Sequence, residues 1–199
     1  MIAFSGFLPI ITPFVNVTKC TGGNMNRRYF LGALLSVAAA PALAKSTVER
    51  PRQLSFHNLR SDERISVVYR IGDYYQRNAL HQLNLFFRDS RTGDAAPMDP
   101  QLYDLLYDVK AHLGDPDARF EVVSAYRSPQ TNAMLRKTSG GVARNSLHLR
   151  GQAMDVRFPD LSIRHLRDAA LDLSRGGVGY YPRSDFVHLD TGSVRHWGA

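Results

Sequence analysis

The chain has 199 residues, 44% of them hydrophobic, which is room for one buried core plus a targeting segment and gives no need for a second domain. Its formal charge of +7 falls to +4 over residues 45–199, because residues 1–44 carry Lys19, Arg27 and Arg28 and no acid. So small a surplus, with no run of Lys or Arg, speaks against nucleic-acid binding and suits an anionic polymer such as cell wall. The single cysteine, Cys20, leaves the rest of the chain with neither a disulfide framework nor a thiol nucleophile.

From Met25 the chain reads Asn26-Arg27-Arg28-Tyr29-Phe30-Leu31, then an apolar stretch, then Ala42-Leu43-Ala44 ahead of Lys45. A charged region, a short apolar region and a small-x-small cleavage site in that order predict a cleavable export signal over 25–44. The apolar stretch falls short of the ~20 residues that span a bilayer, so no membrane span is expected after its removal. Arg-Arg-x-Phe-Leu resembles a twin-arginine signal, the route for proteins exported already folded, and places the product in the periplasm. Residues 1–24 are read as an upstream extension ahead of the true start at Met25. Pro9 and Pro13 interrupt their apolar stretch, and Cys20 follows Asn-Val-Thr-Lys, a poor context for lipid attachment.

Residues 45–52 read as a flexible leader and 53–199 as the domain. Segments 54–59 and 65–70, separated by Ser61-Asp62-Glu63, form a predicted hairpin. Helical spacing follows over 75–87 (Leu80, Leu83, Phe87) and over 100–113 (Leu102, Leu105, Leu106, Val109), the second capped by Asp99 with Pro100 at its first position. A strand is predicted over 120–125, and a helix from Ser128-Pro129 to about residue 137. A loop covers 138–145 and a strand 152–158. A helix capped by Ser162 ends at Gly176-Gly177, and short strands cover 178–181 and 186–190. Helices early and strands late predict an α+β fold with a small antiparallel sheet flanked by helices.

The chemistry concentrates in Ser146-Leu147-His148-Leu149-Arg150-Gly151-Gln152-Ala153-Met154-Asp155. On a strand, Met154, Val156 and Phe158 share one face, and Ala153, Asp155 and Arg157 the other. The same parity in Phe186-Val187-His188-Leu189-Asp190 sends Val187 and Leu189 inward and groups Phe186, His188 and Asp190 outside. Neighbouring strands therefore present Asp155 and His188 side by side, with His148 on the preceding loop. Two imidazoles and a carboxylate are a recurring ligand set for catalytic zinc, with a fourth position left for water. A hydrogen-bonded His–Asp pair is the competing reading of the spacing alone. His57, His81, His112 and His165 read as ordinary surface or packing histidines.

Ser-x-His-x-x-Gly-x-Ala-x-Asp followed by a late histidine resembles the signature of the zinc D-Ala-D-Ala peptidases and hedgehog-type domains. Within that group the chain is similar to the murein endopeptidase K family. The likeness runs from about Pro51 through Gly-Gly-Val-Gly-Tyr-Tyr-Pro-Arg-Ser and Phe-Val-His-Leu-Asp-Thr-Gly to His196-Trp197, nearly the whole domain. The resemblance implies a hedgehog/DD-peptidase-like fold and zinc held by His148, Asp155 and His188. It also implies endopeptidase action on the peptide stems of peptidoglycan.

Tyr126-Arg127-Ser128 matches the family's Tyr-Arg-Ser segment. Arg127 is thus expected to grip a substrate carboxylate or stabilise a tetrahedral oxyanion, or else to brace the loop. Tyr126 is placed with the substrate, and Ser146 with the substrate and the orientation of the His148 loop. For proton transfer, Asp185 has the spacing of an acid three residues before the last ligand, although strand parity points it away from His188 unless a bulge turns it back. Asp190 follows as a second candidate or as a group holding a histidine tautomer, and His196 as a third. No Ser-x-x-Lys occurs and no cysteine lies after residue 44, so penicillin-type and thiol-based wall chemistry lack nucleophiles. A D,D-carboxypeptidase, or a non-catalytic zinc- or wall-binding module on the same fold, remains the alternative.

Overall fold

A computed structural model of the chain describes residues 50–115 and 117–198. The expected upstream extension, export signal and most of the leader lie outside the described residues. No helix among those described is long and apolar enough to cross a membrane.

The chain opens on the predicted hairpin. β1 (Pro51–Asn58) and β2 (Arg64–Ile71) pair antiparallel across a turn in which Asp62 takes a left-handed φ of 58°. β1 begins at Pro51, so the strand takes in the last two positions of the segment read as a leader. A two-residue strand, β3 (Tyr74–Tyr75), folds back on β2 and delays α1 (Arg77–Phe86) beyond its expected start. α2 (Pro100–His112) starts as its sequence dictates, with Asp99 accepting from the Gln101 amide at 3.0 Å and Pro100 in the first turn.

β4 (Arg119–Ser124) then runs parallel to β1. α3 (Pro129–Thr138) is capped by Ser128, whose Oγ accepts from the Thr131 amide at 3.2 Å. A 3-10 turn (Leu147–Arg150) leads into β5 (Ala153–Arg157). α4 (Ile163–Asp172) follows, and the chain closes with β6 (Gly177–Tyr181), β7 (Phe186–Asp190) and β8 (Arg195–Trp197).

All eight strands form one sheet in the order β3-β2-β1-β4-β5-β7-β6-β8. The α+β class holds, but the sheet is larger than expected and mixed, with β1/β4 and β6/β8 parallel. The reason is topological. Two helices separate β2 from β4, enough chain to return β4 in the direction of β1. β8 leaves β7 by a short turn, runs against it and lands beyond β6, parallel to that strand. The 3-10 turn, β3 and β8 span four residues or fewer, too short to leave a periodic signal.

The two sheet faces differ. Leu54 and Phe56 of β1, Phe120 and Val122 of β4, Met154 and Val156 of β5, and Val187 and Leu189 of β7 are buried on one face. They form one core with Leu83 and Phe86 of α1, Leu102, Leu106 and Val109 of α2, and Leu166 and Ala170 of α4. Burying each such side chain contributes about 1.5–3 kcal/mol, so the sheet is anchored from this side. The other face carries the polar residues of β5 and β7.

Candidate active site

β5 and β7 are antiparallel neighbours in a register that sets Asp155 opposite His188. Their core-facing partners fix the alternation, because a one-residue slip would turn Met154, Val156, Val187 and Leu189 out of the core. His148 reaches the same place from the 3-10 turn. Gly151, at φ 66°, ends that turn in the left-handed region and feeds β5. A Cβ there would lie 2.3 Å from the Pro97 carbonyl oxygen, so the bend also requires glycine for space.

His148, Asp155 and His188 are all buried, and their ligand atoms lie within 4.8 Å of one another. His148 Nε2 is 3.2 Å from His188 Nδ1 and 3.3 Å from Asp155 Oδ1, and His188 Nδ1 is 2.9 Å from Asp155 Oδ1. Tetrahedral zinc ligands at bond lengths of about 2.0–2.1 Å lie roughly 3.3 Å apart, so this triangle has the size of one face of such a shell.

The outer nitrogens set the protonation. His148 Nδ1 lies 2.6 Å from the Ala125 carbonyl oxygen, which can only accept, so Nδ1 carries the hydrogen and Nε2 a lone pair. His188 Nε2 lies 3.0 Å from Asp190 Oδ2, and by the same logic its Nδ1 offers a lone pair. Three acceptors then converge, and only a cation relieves them. Without a metal ion, a proton on His188 Nδ1 fills that role. Burial works against that proton, but hydrogen bonds and charge from Asp155 and Asp190 outweigh it and push the imidazole up to about 9. For Asp155, burial is likewise outweighed, by His148 and His188, and the carboxyl stays well below the usual carboxylate range.

Asp190 is completely buried and saturated. Oδ2 accepts from His188 and from Arg195 at 2.6 Å, and Oδ1 from the amides of Gly177 at 3.0 Å and Gly192 at 2.9 Å and from Arg195 at 3.1 Å. These donors overcome the effect of burial and keep it ionised. Asp190 therefore orients His188, the second of the two roles open to it from sequence. Trp197 completes this side. Its indole lies 5.2 Å from the His188 ring and donates to Tyr181 Oη at 2.8 Å. Gly179, opposite both His188 and Trp197 in the sheet, makes room, since a Cβ there would sit 2.6 Å from the indole. Sequence reading missed Arg195 and Trp197. The available signal was glycine at alternate positions of β6, Gly177 and Gly179, which marks a strand face that other side chains must cross.

Arg127 is brought to the ligand trio. Its amide donates to the His148 carbonyl at 3.2 Å, and its guanidinium donates to Ser124 Oγ at 3.2 Å and lies 3.5 Å from Asp155 Oδ2. Ser146 lines the same cleft, and its carbonyl accepts from the Leu149 amide at 3.1 Å. Three other expected residues stand apart. Tyr126 packs against the core and is absent from the residues lining the cleft. Asp185, in a left-handed turn at φ 54°, forms a 2.6 Å ion pair with Arg157 and also lies outside the cleft lining. The left-handed residue does break the strand alternation, but it delivers the carboxylate to Arg157. His196 pairs with Val178, on the strand face opposite Trp197.

The cleft encloses about 560 Å³ and runs over the ligand trio, between the segment after α3 and the end of β8. Asn132 holds one wall by donating to the Ala143 carbonyl at 3.2 Å. The cleft has room for a peptide.

Known proteins are similar to this chain over most of its length. The description of the peptidoglycan L,D-endopeptidase MepK family matches residues 46–197. Peptidoglycan L,D-endopeptidase MepK of Escherichia coli K12 is 44% identical over 177 residues, which cover 86% of this chain and 97% of the relative. The probable peptidoglycan L,D-endopeptidase MepK of Haemophilus influenzae is 38% identical over 179 residues, covering 87% of this chain and 96% of the relative. The match therefore takes in both strands, the turn that carries the ligand trio and the core beneath them, and the chain belongs to the peptidoglycan L,D-endopeptidase MepK family.

Proposed function

We propose that the chain is a zinc-dependent peptidoglycan endopeptidase of the periplasm, exported on its twin-arginine signal, that hydrolyses L,D peptide cross-links between stems. The ligands are His148, Asp155 and His188. The observation that carries this reading is the convergence of three acceptor atoms at 3.2, 2.9 and 3.3 Å, with each imidazole locked from behind. A structural pair needs one hydrogen bond; this arrangement needs a cation. The relatives' name supplies the substrate class and bond type.

Zinc in this position supplies a Lewis acid that polarises a peptide carbonyl and acidifies a water. The chain's own residues do the rest. The Ala125 carbonyl and Asp190 hold the two imidazoles in their ligating tautomers. Arg127, beside Asp155 and lining the cleft, is placed to stabilise negative charge on a carbonyl oxygen as it becomes tetrahedral. The buried floor under β5 and β7 keeps these groups fixed while substrate enters. Asp185 has the spacing of a general base but reaches the reaction only by leaving Arg157.

The test is digestion of purified cross-linked stem dimers and of pentapeptide monomers by the zinc-loaded protein, with products read by mass spectrometry. Dimers are cut, cutting stops with chelator, and zinc restores it. Release of terminal D-Ala from monomers alone would make the protein a carboxypeptidase. Zinc binding without any cleavage would make it a binding module.

A further inference from the structure

We propose that Arg60 and Arg91 form, beside Arg127, a subsite for a free carboxylate of the substrate at the β1–β4 end of the cleft. The inference rests on the hydrolase reading above and adds to it the direction in which the substrate lies. Arg60 follows β1 and is exposed, and its Nε donates to the Val123 carbonyl of β4 at 3.3 Å, which holds the side chain at the rim of the cleft. Arg91 sits on a tight turn closed by Asp89, whose carboxylate accepts the Arg91 amide at 2.9 Å and the Ser128 amide at 2.8 Å. Asp89 is thus spent on backbone. Among the described residues neither Arg60 nor Arg91 has a carboxylate within ion-pair distance. Arg127, only 11% exposed, has Asp155 alone, at 3.5 Å.

Folding therefore gathers three guanidiniums at one end of the cleft, and the one acid lining that cleft is Asp155, already directed at the histidines. Two exposed guanidiniums without an acid partner, at the rim of a cleft, leave their charge free for a ligand that brings a carboxylate.

The opposite end of the cleft has a different character. Tyr181 stacks on Phe186, Trp197 adjoins His188, and the one cation there, Arg195, is neutralised by Asp190. A stem peptide with a free carboxylate near the bond to be cut has one favoured direction in such a groove, acid toward Arg60 and Arg91. Guanidinium is the fitting group, because its planar fork binds carboxylate through two parallel hydrogen bonds.

The experiment uses the zinc-loaded protein, a cross-linked muropeptide dimer, and the same dimer with its carboxylates converted to amides. Binding is measured by calorimetry and cleavage by mass spectrometry. Amidation is expected to weaken binding to the wild type by about 10-fold or more, the scale of a charged hydrogen-bonded pair. The Arg60→Gln/Arg91→Gln protein is expected to bind the acid form that much more weakly and to be indifferent to amidation. Arg164→Gln, which removes an exposed charge from α4, is expected to behave as wild type. The proposal is overturned if the double variant keeps the preference for acid over amide. Equal weakening by Arg164→Gln also overturns it, by showing a net-charge effect, and so does failure of the wild type to bind the acid form. Preferential binding of the acid form that depends on Arg60 and Arg91 but leads to no cleavage overturns the hydrolase reading and supports the subsite.

Discussion

Asp190→Asn tests the argument that the imidazoles are locked from behind. The wild-type carboxylate accepts five hydrogen bonds on two oxygens with no exposure to solvent. An amide has one acceptor oxygen. If its NH2 takes the place of Oδ2, it faces His188 Nε2 and can donate only to the tautomer with hydrogen on Nδ1, which removes the lone pair turned toward His148 and Asp155. If it takes the place of Oδ1, the Gly177 and Gly192 amides lose their acceptor. Groups behind a metal-ligating histidine typically contribute 10- to 100-fold to affinity, so zinc should bind the variant weaker by that factor, or about 1.4–2.7 kcal/mol. The unsatisfied donors should lower the stability of the metal-free protein by about 1–3 kcal/mol. Competition against a chromophoric chelator reads the first quantity and chemical denaturation the second. Unchanged zinc affinity in a folded variant would refute the tautomer argument, and a stability loss alone would reduce Asp190 to a structural anchor.

Zinc affinity should rise with pH. In the metal-free protein the His188 imidazole is pushed up to about 9 from its ordinary 6.5, so at neutral pH a proton occupies the position a metal needs. Affinity should climb about tenfold per pH unit and level off near the His188 value, with about one proton released per zinc bound at neutral pH; a flat profile with no proton release would refute it. The same shift stabilises the metal-free fold fully below the unfolded pKa of 6.5, and that contribution is lost as pH rises through about 9. Gly179→Ala places a Cβ 2.6 Å from the Trp197 indole. It should destabilise by about 1–3 kcal/mol, read as a lower melting temperature, and should weaken tryptophan–histidine contact, read as a change in intrinsic fluorescence. Asp185→Asn should leave turnover within a few-fold of wild type, because the carboxylate is held by Arg157 and its side chain is 61% exposed. A loss on the scale of general-base catalysis, about 100-fold or more, would assign Asp185 that role.

Much of this protein could be read from its order of residues. Alternation alone placed Asp155 and His188 on the polar faces of their strands, because each strand must bury Met154 and Val156, or Val187 and Leu189, in the core. Local chemistry fixed the starts of α2 and α3 through Asp99-Pro100 and Ser128-Pro129. The resemblance carried by the Ser-x-His-x-x-Gly-x-Ala-x-Asp motif supplied His148, which parity cannot reach, since it lies on a 3-10 turn and not on a strand.

Tertiary structure decided what no local pattern encodes. Which strands are neighbours, and that β1 and β4 run parallel, depends on the crossover path through α1 and α2, while β8 lies parallel to β6 because it turns back from β7. Asp185 and Asp190 are both acids near a ligand histidine in sequence. Only the fold shows one turned to Arg157 by a left-handed residue and the other sealed beneath His188 by Arg195 and two amides. Arg60 and Arg127 are far apart along the chain and line one cleft because β4 lies beside β1, and Arg91 joins them because Asp89 holds its turn against the Ser128 amide. The sequence by itself therefore determined which faces are polar and which residue types stand on them, since that is set by burial repeating along a strand. The tertiary structure alone decided which of those polar groups touch, since contact across a sheet depends on the register and order of strands.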